Sequence, residues 1–331
     1  MEIRNRTPMV AAWTVLLDKT GAEHLGAAVR GIWSIDAGGR LGFLAEQPPP
    51  LLTDQCVGEP GVSSIRYEAD IGSVKPSTDC ALVGSAIAPN ARTNQMLVTF
   101  RIGPVSRRAV VWGERQWRYS NLGWSSSTAM PFDRVPLVWE LASGGRDASP
   151  QDPRHHSVDL RNPYGRGFRA AGSTLPQAGA LLPQIEAAEG DDPAGFGLTT
   201  SEWGHRRKYA GTYDEAWRQH RCPLLPEDFD ERFYCAAAPG LTTPSYLEGG
   251  EPVEISGVTP GRSVLCTLPR LALEVSATLD SGPERMEMRL VTVTVDTDAM
   301  LLRMLWRGSI RVHGRLPRFQ QLDVAASGRR S

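Results

Sequence analysis

The densest run of chemically capable side chains lies between residues 209 and 234. Tyr209, Tyr213, Asp214, Glu215 and Trp217 are followed by Glu227, Asp228, Asp230, Glu231, Arg232 and Tyr234. Carboxylates this close in sequence could exchange protons with a substrate if two of them converged in a cleft, one as acid and one as base. Asp228 and Asp230 serve equally well in turns and caps, because a short carboxylate bonds nearby backbone N–H groups. A third use is recognition, since Trp, Tyr and Arg are the side chains that anchor interfaces. No nucleophile or metal ligand accompanies the carboxylates. That favours a packed, hydrogen-bonded loop first, a partner-binding surface second and catalysis last.

Other reactive motifs are few. The chain contains no GxxxxGK[ST] phosphate loop, no HExxH zinc helix and no GxSxG nucleophile elbow. Of the six histidines only His155 and His156 are adjacent, and neighbours in a loop do not converge on one metal. Cys56, Cys80, Cys222, Cys235 and Cys266 are odd in number, far apart and without a CxxC pair. We read them as buried thiols rather than as a disulfide framework or a zinc site. Gly165-Arg166-Gly167 follows no strand and lacks a third glycine, so it reads as a tight backbone path beside Tyr164 and Phe168. No metal, no cofactor and no catalytic residue is expected.

Composition narrows the classes further. With 36 basic and 37 acidic residues the net charge is −1, which argues against nucleic acid as a partner. No apolar run is long enough to span a membrane, so no membrane partner is expected. The run Met9–Leu17 lacks the layout of a secretion signal, and we expect a cytoplasmic protein. Only Lys19, Lys75 and Lys208 are lysines, against 33 arginines. Codon bias in a GC-rich genome explains that ratio without a functional reason.

The elements that must position these residues read as short strands. Thirty-three glycines and 25 prolines impose frequent turns. Met9–Leu17 and Leu25–Ile35 are apolar runs, and Asp36-Ala37-Gly38-Gly39 turns the second into Leu41–Leu44. Pro48, Pro49 and Pro50 forbid a ladder. Strands resume at Cys80–Ala88. Met96–Ile102 and Arg107–Trp112 form a hairpin around Gly103-Pro104, and Val135–Leu141 adds a strand. From Ser143 to about Tyr246 the periodicity vanishes while aromatics accumulate. Two short helices are expected there, Tyr213–Arg221 capped by Thr212, and Glu227–Cys235. Pro252–Val258, Ser263–Leu268 and Leu271–Leu279 are strands again. Met286–Val295 and Met300–Trp306 form the strongest hairpin, with Val291, Val293 and Val295 on one face and Thr292 and Thr294 on the other.

The expected fold is therefore mainly β. Two antiparallel sheet regions, sandwich-like, pack together, with a long aromatic-rich irregular insertion and a few short helices. The chain divides into an N-terminal β region (1–142), an irregular aromatic- and Arg-rich middle (143–246), a C-terminal β region (247–316) and a frayed tail (317–331).

Several segments then fall into a familiar order. They are Asn5-Arg6-Thr7-Pro8, Gly58-Glu59-Pro60-Gly61, Ser63-Ser64-Ile65-Arg66-Tyr67, Lys75-Pro76-Ser77-Thr78-Asp79, Asn162-Pro163-Tyr164-Gly165-Arg166-Gly167-Phe168 and Pro193-Ala194-Gly195-Phe196-Gly197. Gly211-Thr212-Tyr213-Asp214-Glu215-Ala216-Trp217, the stretch Pro223 to Asp230, and Trp306-Arg307-Gly308 complete it. Together they resemble a bacterial domain-of-unknown-function family encoded beside type VI secretion genes. The resemblance implies a non-enzymatic adaptor or chaperone that loads an effector, or its PAAR-like domain, onto the secretion spike. It carries no catalytic residues with it. A hydrolase of carbohydrate or peptide, and a glycan-binding β-sandwich, are the alternatives. The middle region is the expected grip, with Trp203, Tyr213, Trp217 and Arg232 as candidate anchors.

Overall fold

The structure, a computed structural model, describes residues 2–169 and 177–327. It is mainly β, and its sheets mix strands from both ends of the chain. The largest sheet has six strands. Val10–Leu17, Glu23–Ile35, Leu301–Arg311, Arg289–Asp296 and Asp79–Val83 lie side by side in that order, and Leu41–Phe43 pairs with the end of Glu23–Ile35. All pairs are antiparallel except the last two strands, which run parallel. A five-stranded antiparallel sheet orders Ile185–Ala187, Val105–Trp112, Gln95–Ile102, Pro252–Thr259 and Arg262–Thr267. A four-stranded sheet orders Glu2–Asn5, Gln321–Ser327, Ala272–Leu279 and Gly282–Met286.

Strand alternation decides which side chains meet. Val29, Trp33, Val293 and Met304 on the six-stranded sheet share one core with Val98, Phe100, Val253 and Ile255 of the five-stranded sheet. Val275, Ala277, Leu322 and Val324 of the four-stranded sheet belong to it too. Burying each such valine, leucine, isoleucine, phenylalanine or methionine contributes about 2 kcal/mol.

The opposite face of the six-stranded sheet is also buried, but it is polar. Arg30, Leu305, Thr292 and Asp79 stand in one cross-strand row there, with Arg303 and Arg307 in the rows on either side. The segment from residue 45 to 77 covers this face and supplies the opposite charges. Arg30 meets Asp70 at 2.6 Å, and Lys75 meets Glu68 and Asp79 at 2.7 Å each. Burial pushes the Glu68 carboxyl up, but Lys75 and Arg307 outweigh it and hold the group down at about 2. Asp70 stays raised by burial despite Arg30. A sheet buried on both faces needs such pairing, because an unpaired charge there would cost several kcal/mol.

Several expectations require correction. The tail read as frayed forms the Gln321–Ser327 strand, held between Glu2–Asn5 and Ala272–Leu279; residues 328–331 lie outside the described residues. A bulge at Val291 breaks the alternation expected for the last hairpin. Val293 and Val295 face the main core, while Val291 packs with Ala28 and Leu305 on the polar side. Met286 belongs to the Gly282–Met286 strand instead of the hairpin arm. Val135–Leu141 is not one strand. Arg134–Pro136 is extended, and Trp139–Leu141 closes a 3-10 turn that buries Trp139. The first short helix is Glu215–His220, and Asp214 caps it in place of Thr212 by accepting from the Trp217 N–H. The second shrinks to a 3-10 turn at Glu231–Tyr234, because Asp230 caps it so late. The cysteines are free, yet Cys222 is exposed and Cys56 and Cys266 are half-buried; Cys80 and Cys235 are the buried pair.

Candidate functional site

The middle region is not a loose insertion. Phe196, Leu198, Trp203, Ala236, Ala237 and Leu241 are buried in the main core. The stretch also contributes Ile185–Ala187 as an edge of the five-stranded sheet. The centre of this packing is Trp139. Its indole N–H donates to the Gly197 carbonyl at 2.9 Å. Gly195 lies against its ring so closely that a Cβ there would collide with the indole carbons. Trp203 meets the same ring edge-on, with centroids 4.8 Å apart, and Tyr164 and His205 meet Trp203 in turn. Asn162 donates to the carbonyls of Trp139 and Ser143, at 2.9 Å each. The Gly165 backbone passes so near Ala142 that a side chain has no room.

Two hollows open above this floor. One, of about 310 Å³, is lined by Trp139, Leu160, Pro193 and Ala238 with Arg107 and Arg161 at its edge. The other, of about 340 Å³, is lined by Pro76, Ala237 and Pro244 with Lys208, Tyr209 and Arg232. His205 and Pro239 line both, so the two hollows lie side by side across these residues and are together called the groove. Its walls come from the Gly204–Arg207 helical turn, the 3-10 turn Glu231–Tyr234 and the chain from 235 to 244.

The electrostatics of the groove are unusual in what neutralises its cations. Arg107 donates to the Gly195 and Pro239 carbonyls, and Arg206, which lines neither hollow, donates to those of Thr199 and Phe233. The Lys208 ammonium lies 4.8 Å above the Tyr209 ring. Arg232 lies 4.3 Å above that ring and is bound to Asp230 through both carboxylate oxygens. Carbonyls and rings orient a cation without cancelling its charge. Burial lowers Arg107 to about 10, eased by the field of Asp192. His205 is hydrogen-bonded to Thr199 Oγ1 at 3.2 Å. Burial, with Arg206 and Lys208 nearby, lowers it to about 4, so it is neutral at pH 7. The Cys235 thiol is pushed up to about 12 by burial and by Asp79.

Of the four anchors expected from sequence, the structure brings one to the groove. Arg232 stands on its rim. Trp203 is fully buried beneath it and is a pin of the floor rather than an anchor. Tyr213 and Trp217 pair edge-on at 4.7 Å outside it, where the Trp217 indole donates to the Leu224 carbonyl. Tyr213 is exposed and Trp217 half-buried. The carboxylates with acid–base potential are engaged locally. Asp228 accepts from Thr212, Asp230 binds Arg232, and both are held low by those bonds. His156 bonds the Pro150 carbonyl. Among the described residues no group of three His, Cys, Asp or Glu is placed to hold a metal ion.

Arg107 and Lys208 were missed, though both left a signal. Arg107 occupies the same strand parity as Val105, Ala109 and Val111, a core-facing position where a charge needs a reason. Lys208 is one of three lysines in an arginine-rich chain.

No described helix is long and apolar enough to cross a membrane. No curated protein and no solved structure matches the chain significantly. A family model does match, over residues 20–307. That span contains the buried Lys75–Asp79 pair, Asn162, Gly195 and Arg307, all of which hold the fold together. The chain belongs to the family DUF2169, described as an uncharacterized protein conserved in bacteria.

Proposed function

We propose that this protein is a non-enzymatic cytoplasmic adaptor or chaperone. It binds a type VI secretion effector, or that effector's PAAR-like domain, and promotes loading onto the spike. The secretion context comes from the ordered motifs that run along the whole chain. The observation that carries the binding role is the groove beside Trp139, whose cations Arg107 and Lys208 are oriented by main-chain carbonyls and a ring. A rigid floor with charge displayed above it suits recognition of another chain.

Catalysis gains less support from the same residues. A general base needs an accessible proton acceptor oriented by a partner, commonly a carboxylate. His205 has Arg206 and Lys208 beside it, which oppose the imidazolium that such a base must become. Cys235 is buried with its thiol raised, the reverse of an activated nucleophile.

The test is delivery. The gene is deleted in the native bacterium, and transfer of the toxin encoded alongside it is measured. Loss of that transfer, restored by the full chain, supports the adaptor role. Undiminished transfer removes it.

A further inference from the structure

The two hollows that adjoin at His205 and Pro239 combine apolar lining with two cations, Arg107 and Lys208, that contact no carboxylate among the described residues, while Arg161 and Arg232 are paired with Asp159 and Asp230, and Asp192 also lines the first hollow. Arg107 is held by the Gly195 and Pro239 carbonyls, and Lys208 by the Tyr209 ring. The carboxylate that acts on Arg107 is Asp192, which also binds Arg161 at 3.3 Å and is itself 91% exposed. Water screens so exposed a charge, so it leaves Arg107 largely uncompensated. Cations set in a low-dielectric cleft focus a positive field into it. The chain as a whole is near neutral, so this field is local to the groove.

The shape limits the occupant further. Each hollow offers apolar lining, Leu160, Pro193 and Trp139 in one, Pro76, Ala237 and Pro244 in the other. A small anion would use the rim and leave these surfaces wet. An extended chain suits two adjoining hollows, because alternate side chains leave it on opposite sides and pockets can take every second one.

We propose that this groove holds an extended acidic segment of a partner polypeptide, with apolar side chains seated in the two hollows and carboxylates against Lys208 and Arg107. The proposal deepens the adaptor reading and rests on it for the partner's origin. It is separate from that reading in its chemistry. Arg232 contributes shape more than charge, because Asp230 already neutralises it.

The experiment uses the purified full chain and a short fluorescent peptide alternating Glu and Leu, with its Lys–Leu and Gln–Leu counterparts as controls. Anisotropy should report binding of the Glu–Leu peptide alone, weakening as salt is raised. Lys208→Glu and Leu160→Glu, both at exposed positions, should each weaken binding by about tenfold, with Arg92→Glu in a distant exposed loop as the unaffected control. Equal binding of all three peptides, or wild-type binding by both groove variants, overturns the proposal. Failure of the two readings is distinguishable. If the neighbouring toxin co-purifies with Lys208→Glu and Leu160→Glu as it does with the wild type, the groove is not the grip and the adaptor role stands. If the acidic peptide binds as described but the deletion strain still delivers its toxin, the groove stands and the adaptor role falls.

Discussion

Lys75 and Asp79 form a salt bridge of 2.7 Å in which neither side chain reaches solvent. They sit at the junction of three parts of the fold. Lys75 also binds Glu68 and donates to the Thr292 hydroxyl of the sheet. Asp79 also accepts from the Ala236 N–H and the Thr242 hydroxyl, which fastens the groove wall to the sheet edge. Replacing Lys75→Met keeps the volume but leaves Asp79 without its cation and Glu68 with Arg307 alone. The expected loss is about 4 kcal/mol, read from urea unfolding at neutral pH. A loss within experimental error would mean that the carboxylates find other partners.

His205 gives the groove a pH dependence. Its folded value of about 4 lies below the ordinary 6.5, so protonation favours the unfolded chain. Stability from this group is full above pH 6.5 and falls as pH drops towards about 4, below which it levels off. His205→Gln should flatten the stability curve across that window. An unchanged slope in the variant would assign the acid sensitivity to other groups.

Gly195 is required by contact rather than by backbone conformation. A methyl group there would press on the Trp139 ring. Gly195→Ala should lower stability by about 3 kcal/mol and shift the near-ultraviolet signal of the indoles. A wild-type melt would show that the ring can retreat.

Trp203 and Tyr213 should separate cleanly. Trp203→Ala opens a cavity beside Trp139 and should cost about 4 kcal/mol. Tyr213→Ala removes a ring that is 52% exposed and should stay within about 0.5 kcal/mol of wild type. Thermal melts of the two variants decide it. Similar losses in both would place Tyr213 in a packed environment.

Much of the fold is legible in the sequence because its signals are short-range. Alternation and turn residues announced the strand at Leu25–Ile35 and the hairpin of Met96–Ile102 and Arg107–Trp112, each starting within two residues of the observed strand, and the mainly β class. Asp228 and Asp230 act as the turn and cap residues their chemistry suggests, whereas Asp214 takes the cap expected of Thr212. Alternation also hinted at Arg107, which shares its parity with buried valines. Tertiary structure decided the rest. Gln321–Ser327 has too weak a local pattern to announce a strand and becomes one by bonding to neighbours from both termini. The Val291 bulge places Thr292 on the polar side, where it meets Lys75, a residue more than 200 positions away. Whether Trp203 anchors a partner or pins a core depends on Trp139, which meets it only after the chain has folded back. A local pattern fixes which side of a strand a residue faces. What waits on that side is set by contacts that span the whole chain.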